Sequence, residues 1–82
     1  RVDYGSPKEY VIGGVTVVGA KFLDHNSLIS IAGFQVGEKI KIPGDDISLA
    51  IRKLWKQGIL GDVKISITEI VDGKAYLQIE LK

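Results

Sequence analysis

Few side chains in this 82-residue sequence combine the type and the spacing that chemistry needs. Asp45 stands beside Asp46, and Asp24 beside His25. Two adjacent carboxylates could share a metal or divide acid and base roles, but these follow Pro43-Gly44 and precede an apolar run with helical spacing. There a carboxylate meets unpaired backbone N–H groups and the positive end of a helix dipole, so the pair reads as a helix start with capping side chains. Asp24 and His25 resemble half of a catalytic dyad. Adjacent residues rarely aim at one atom, however, and no plausible nucleophile accompanies them. With no Cys there is no thiolate, disulfide or Cys-based zinc site, and a single His excludes a multi-His metal site within the chain. No catalytic and no metal-binding constellation emerges.

Binding features come next. Gly58-Ile59-Leu60-Gly61 has the form of the loop with which KH domains clamp a nucleic-acid backbone. Its position argues against that use, because it follows a helix and precedes a strand instead of joining two helices. Its middle residues are apolar where a phosphate would favour basic ones, and a helix stop with a tight entry to a strand explains both glycines. Trp55 sits on the flank of the same helix, where an indole either seals the rim of a core or anchors a partner. Val63, Lys64, Ile65, Ser66, Ile67, Thr68 and Glu69 form an alternating run with no Pro and one Lys. At a sheet edge such a run leaves backbone donors and acceptors free to take an added strand, although every small sheet has edges.

The elements that must position these residues can be read from periodicity. Residues 1–9 mix charge with Gly5, Ser6 and Pro7 and read as a flexible lead-in. A β-branched stretch from Tyr10 to Val18 reads as a first strand, with Gly13 and Gly14 marking a bulge or a close backbone approach. Asp24 or Asn26 can cap a short helix carrying Leu28, Ile31 and Ala32, with Gly33 at its C-terminal end. Phe34 to Gly44 reads as a connector. Ile47, Ala50, Ile51 and Leu54 then mark a second helix, ended by Gly58 and Gly61, with Arg52, Lys53 and Lys56 complementing its dipole. Val63, Ile65 and Ile67 alternate with Lys64, Ser66 and Thr68 in a second strand. Ala75, Leu77, Ile79 and Leu81 alternate with Tyr76, Gln78 and Glu80 in a third. Asp72-Gly73 joins these two as a hairpin turn.

The reading is an α+β domain of order β-α-α-β-β, with both helices on one face of a three-stranded sheet. Counting chain direction through the elements allows the third strand to lie between the other two, parallel to the first and antiparallel to the second. The spatial order is then 1-3-2, with strands 1 and 2 at the edges. The composition agrees with a folded module: 45% of residues are hydrophobic and 26% charged. A chain of this size buries roughly 60 to 65% of its unfolded surface, enough for one modest core. A net charge of +1 offers no field to draw nucleic acid or an acidic membrane surface, and no apolar run approaches the roughly 20 residues of a spanning helix. The sequence starts at Arg1 and has no Met, which reads as a processed protein or a piece of a longer one whose signal sequence is already gone.

Residues 10–82 resemble the POTRA domain, the polypeptide-transport-associated repeat found before the membrane barrel of outer-membrane assembly factors of the BamA kind. The opening Ile12-Gly13-Gly14-Val15-Thr16-Val17-Val18-Gly19 is similar to the family's first strand. More specific is Ile51 to Ile65, which contains Gly58-Ile59-Leu60-Gly61-Asp62-Val63. It resembles the family's run from an apolar helix end through a glycine and two apolar residues to Asp-Val at the second strand. Leu60 stands where many members carry Phe, and a Leu can fill that core position.

The resemblance implies the β-α-α-β-β fold with sheet order 1-3-2 and a non-enzymatic role without a cofactor. It also implies a place in the periplasm of a Gram-negative bacterium, as the soluble part of an outer-membrane protein. Its partners would be unfolded outer-membrane proteins, neighbouring POTRA repeats and accessory lipoproteins, not nucleic acid. Strand addition at the second-strand edge would fall on Val63 to Glu69, and the lead-in suits the most N-terminal repeat of an array. Three other roles share the fold: a scaffold repeat docking through Trp55, a repeat of a two-partner secretion transporter, and one of a cell-division membrane protein.

Overall fold

A computed structural model describes residues 8–58 and 61–81. In chain order the elements are β1 (Lys8–Val18), α1 (His25–Ala32), β2 (Lys39–Ile42), α2 (Asp46–Lys56), β3 (Val63–Val71) and β4 (Lys74–Leu81). Among the described residues the architecture is α+β: two helices and one mixed sheet of four strands in the order β2-β1-β4-β3. β4 runs parallel to β1 and antiparallel to β3, and β2 lies antiparallel on the outer side of β1.

The expected three-stranded sheet is therefore corrected to four strands. The relative placement of the three expected strands stands, since β1, β4 and β3 occupy the order 1-3-2. The added strand comes from the segment read as a connector. Lys39-Ile40-Lys41-Ile42 alternates, but four residues between turn formers make too short a run to signal a strand. Tertiary context supplies what local pattern lacks: Ile40 and Ile42 are 2% and 4% exposed and complete the core beside α2. β1 is consequently an inner strand and not an edge.

Lys8 and Glu9, placed by sequence in the lead-in, belong to β1 and pair with Ile42 and Lys41. Without β2 nothing in the sequence offered these charged residues a strand partner. The Glu9 carboxylate also lies 3.6 Å from Lys39 Nζ across the same pair of strands. The rest of the lead-in, residues 1–7, lies outside the described residues.

Every second residue of β4, from Ala75 to Leu81, is buried. These side chains meet Ile12 and Val17 of β1, Leu28 and Ala32 of α1, and Ala50 and Leu54 of α2 in one cluster, so both helices cover the same face of the sheet. Among the described residues the buried set is wholly apolar. Asp24 caps α1: its carboxylate accepts the Asn26 N–H at 3.3 Å and the Ser27 hydroxyl at 2.7 Å. Gly33 ends that helix at φ 86°, the left-handed conformation that favours glycine. At the start of α2, by contrast, Asp45 takes the cap position but makes no side-chain cap hydrogen bond.

Two bulges set the side-chain parity of the sheet. One lies between Ile12 and Gly14 in β1, the other between Ile67 and Glu69 in β3. Gly13 and Thr68 are the extra residues, so Val15 and Val17 return to the face of Ile12, and Ile70 to the face of Ile67. Asp72 at φ 51° and Gly73 at φ 77° close the β3–β4 hairpin, both in the positive-φ region that its two-residue turn requires.

Candidate functional site

The four-stranded sheet has two edges, and they are built differently. β2 is short, carries Lys39 and Lys41, and is followed at once by Pro43. Its outward backbone is also engaged from within the chain: the Asp46 carboxylate accepts the Lys41 N–H at 3.2 Å. A short, lysine-bearing, internally bonded edge resists a further strand. Asp46, expected as a capping carboxylate, thus bonds β2 instead, holding the first turn of α2 against that strand.

β3 is the contrasting edge. Its nine residues hydrogen-bond to β4 on one side and to no strand among the described residues on the other. Val63, Ile65 and Ile67 pair with Leu81, Ile79 and Leu77, which puts them on the helix-covered face. Lys64 and Ser66 pair with Glu80 and Gln78 on the opposite face. All three apolar residues pack against the core but are only partly buried.

The bulge changes the extent of the regular edge. Thr68, expected to alternate outward with Lys64 and Ser66, is the extra residue, and its hydroxyl donates to the Tyr76 carbonyl at 3.2 Å. Glu69 takes the position opposite Tyr76 instead. Of the seven residues that sequence assigned to the edge, Val63 to Ile67 form the regular tract, and Thr68 and Glu69 fall at and beyond the interruption. Periodicity alone could not separate the two tracts, because a bulge leaves the local alternation intact up to the point where it resets.

Trp55 lies at the start of this edge. It is 55% exposed and shares a recess of 370 Å³ with Asp62, Val63, Lys64 and Glu80. The structure therefore brings together two parts that sequence had treated separately, the indole on α2 and the first residues of β3. Sequence reading named Asp62 and Glu80 but assigned neither to a site. Glu80 could have been found from the hairpin, since a strand partner of Lys64 must lie near the end of β4. The recess holds two carboxylates and one ammonium group, and none of the three forms an ion pair among the described residues.

The features weighed for chemistry have structural tasks. His25 Nε2 lies 3.0 Å from the Ala20 carbonyl, so it donates there, while the Asp24 carboxylate is occupied at its helix cap. That cap, first through the Ser27 hydroxyl and then through backbone N–H groups, holds the Asp24 carboxyl below its ordinary value of 3.8. Gly58 follows α2 at φ 84° and its N–H donates to the Trp55 carbonyl at 2.9 Å, which is a helix stop. Ile59 and Leu60, on which part of the POTRA resemblance rests, lie outside the described residues. The most exposed large apolar residue among the described residues also escaped sequence reading: Phe22, in the β1–α1 loop, is 98% exposed. No described helix is long and apolar enough to cross a membrane. In comparisons with protein-family models, curated proteins and solved structures, no significant match to this chain was found.

Proposed function

We propose that this chain is a non-enzymatic polypeptide-binding module that captures an extended segment by strand addition along β3. The observation that carries the reading is the asymmetry of the two edges. β2 is closed by Asp46 and its lysines, whereas Val63 to Ile67 present a regular, proline-free tract whose outer side pairs with no strand among the described residues. Main-chain groups are common to all sequences, so such an edge accepts many clients, and the side chains at Lys64 and Ser66 adjust the preference. Short edges bury little area and an unfolded client must be ordered on binding, so single-site affinity is weak and retention comes from several modules together.

Within this reading the domain is a POTRA repeat whose fold carries the extra strand β2 before α2. The order of β1, β4 and β3 and the helices on one face are compatible with that assignment. Its site is the periplasmic part of an outer-membrane assembly factor, and its clients are unfolded outer-membrane proteins or accessory lipoproteins. The test is titration of the domain with an amphipathic β-strand peptide followed by backbone amide shifts. Shifts concentrated on Val63 to Ile67 support the reading; a silent β3 with another responding surface overturns it.

A second reading, docking of a neighbouring repeat or accessory protein, is favoured by a specific feature. The β1–α1 loop that carries Phe22 and the start of β3 near Trp55 lie at the same end of the sheet, since Val18 pairs with Glu80 and Val63 with Leu81. Two exposed aromatics toward one end suit a side-on contact. Loss of partner capture in Phe22→Ala and Trp55→Ala, with β3 shifts retained, would select this reading over strand addition.

A further inference from the structure

We infer that the β3 edge pairs with the β3 edge of a second copy of this chain, antiparallel about a two-fold axis at Ile65. An added strand has to match the faces that β3 presents: apolar beside Val63, Ile65 and Ile67 on the helix side, polar beside Lys64 and Ser66 on the other. It can follow the edge regularly only up to Ile67, because the bulge at Thr68 resets the parity. The tract Val63 to Ile67 meets these demands itself. With Ile65 on the axis, Val63 faces Ile67 of the second copy, and Lys64 faces Ser66 of the second copy. The partly buried apolar row continues unbroken across the junction, and no like charges stand directly opposite. A slip by one residue sets apolar side chains against polar ones, so the register is specified.

The assembly also closes. Joining two copies at β3 makes one eight-stranded sheet whose outer edges are both β2, the strand blocked by Lys39, Lys41, Pro43 and the Asp46 carboxylate. The contact is isologous, the same surface on each protomer, so it stops at a dimer and does not propagate into a fibre. This inference does not depend on client binding. It places the second copy and any client on the same edge, so each excludes the other.

Sedimentation equilibrium from micromolar to millimolar concentration tests it, with amide hydrogen exchange locating the contact. Expected are a monomer–dimer equilibrium and protection of Val63 to Ile67 that grows with concentration. Ser66 carries the decisive comparison, because each copy sets it against Lys64 of the other. Ser66→Glu should tighten the dimer and Ser66→Lys weaken it, each by about threefold to tenfold through two symmetry-related pairs. The double substitution Lys64→Glu/Ser66→Lys should restore the affinity. Thermal unfolding confirms that the variants fold. A chain monomeric throughout, equal effects of the two Ser66 substitutions, or protection on another surface overturns the inference. A monomer whose β3 amides still shift with an added peptide overturns the dimer while supporting client capture. A dimer that no peptide displaces leaves the dimer standing and overturns client capture at this edge.

Discussion

The Tyr76 ring lies over the bare backbone of Gly13: a β-carbon at Gly13 would fall 2.7 Å from Tyr76 Cζ. The neighbouring Gly14, which pairs directly with Tyr76, would place one 3.1 Å from the ring. The glycines let an aromatic from the central β4 cover the bulged stretch of β1 on the face away from the helices, and the ring shields backbone that has no side chain of its own.

This contact makes Gly13→Ala destabilising even though Gly13 does not have a positive φ. Removing a glycine should gain about 0.4–1 kcal/mol by restricting the unfolded chain. Forcing the ring aside should cost more, about 1–3 kcal/mol, as overpacking does elsewhere. In a Tyr76→Ala background the obstruction is absent, and the same substitution should become neutral or stabilising. Chemical denaturation of the four proteins in the cycle measures the coupling; additive effects would show that the ring and the glycine do not constrain each other.

Gly19 and Gly73 separate two reasons for a glycine. Both have positive φ, 85° and 77°. At Gly19 a β-carbon would collide with the Leu81 carbonyl oxygen, whereas at Gly73 nothing lies within 4 Å. Gly73→Ala should therefore lose only the conformational term, about 1–2 kcal/mol. Gly19→Ala adds a backbone collision at the junction of β1 and β4 and should lose more than about 3 kcal/mol. The difference between their unfolding midpoints reads the collision directly.

How far the sequence led depends on whether an element carried its own signal. β1, α2 and the hairpin were legible because long periodic runs and Asp72-Gly73 each speak locally. β2 was not, since its two isoleucines matter only after β1 stands beside them. The bulge in β3 is an intermediate case. A two-residue turn at Asp72-Gly73 by itself would set Ile65 opposite Glu80 and Ile67 opposite Gln78, leaving the apolar rows on opposite faces. Pairing Ile65 with Ile79 requires one extra residue between the turn and Ile67, and Thr68 is that residue. The need for a bulge was thus implicit in the spacing, but its location was not. For the candidate site, alternation revealed the edge, while the blocking of β2 by Asp46 and the recess at Trp55 depend on contacts between elements distant in sequence or joined by a turn.

The Asp24 cap gives a pH dependence with a defined sign. Its carboxyl titrates below the ordinary aspartate value in the folded chain, chiefly through the Ser27 hydroxyl. The folded state therefore binds the Asp24 proton less readily than the unfolded state, and the cap's contribution is present above the ordinary value of 3.8. It is lost as pH falls through that value and then through the lower folded one. Ser27→Ala removes the leading cause. Stability measured against pH should show the difference between wild type and Ser27→Ala narrowing in acid, and a constant offset across the acid range would refute the linkage.

The Asp46 contact predicts a local effect larger than its energy. Asp46→Ala removes the acceptor of the Lys41 N–H and an acidic residue from the first turn of α2. The hydrogen bond is exposed, so global stability should fall by only about 1 kcal/mol. Amide exchange at Lys41 should nonetheless accelerate well beyond that of the inner strands, because among the described residues β2 is held by one neighbouring strand and four residue pairs. Asp46→Asn retains a side-chain acceptor and should keep most of the protection while losing the charge. If both substitutions leave Lys41 exchange unchanged, Asp46 does not guard this edge. The asymmetry between β2 and β3 would then rest on strand length, Lys39, Lys41 and Pro43 alone.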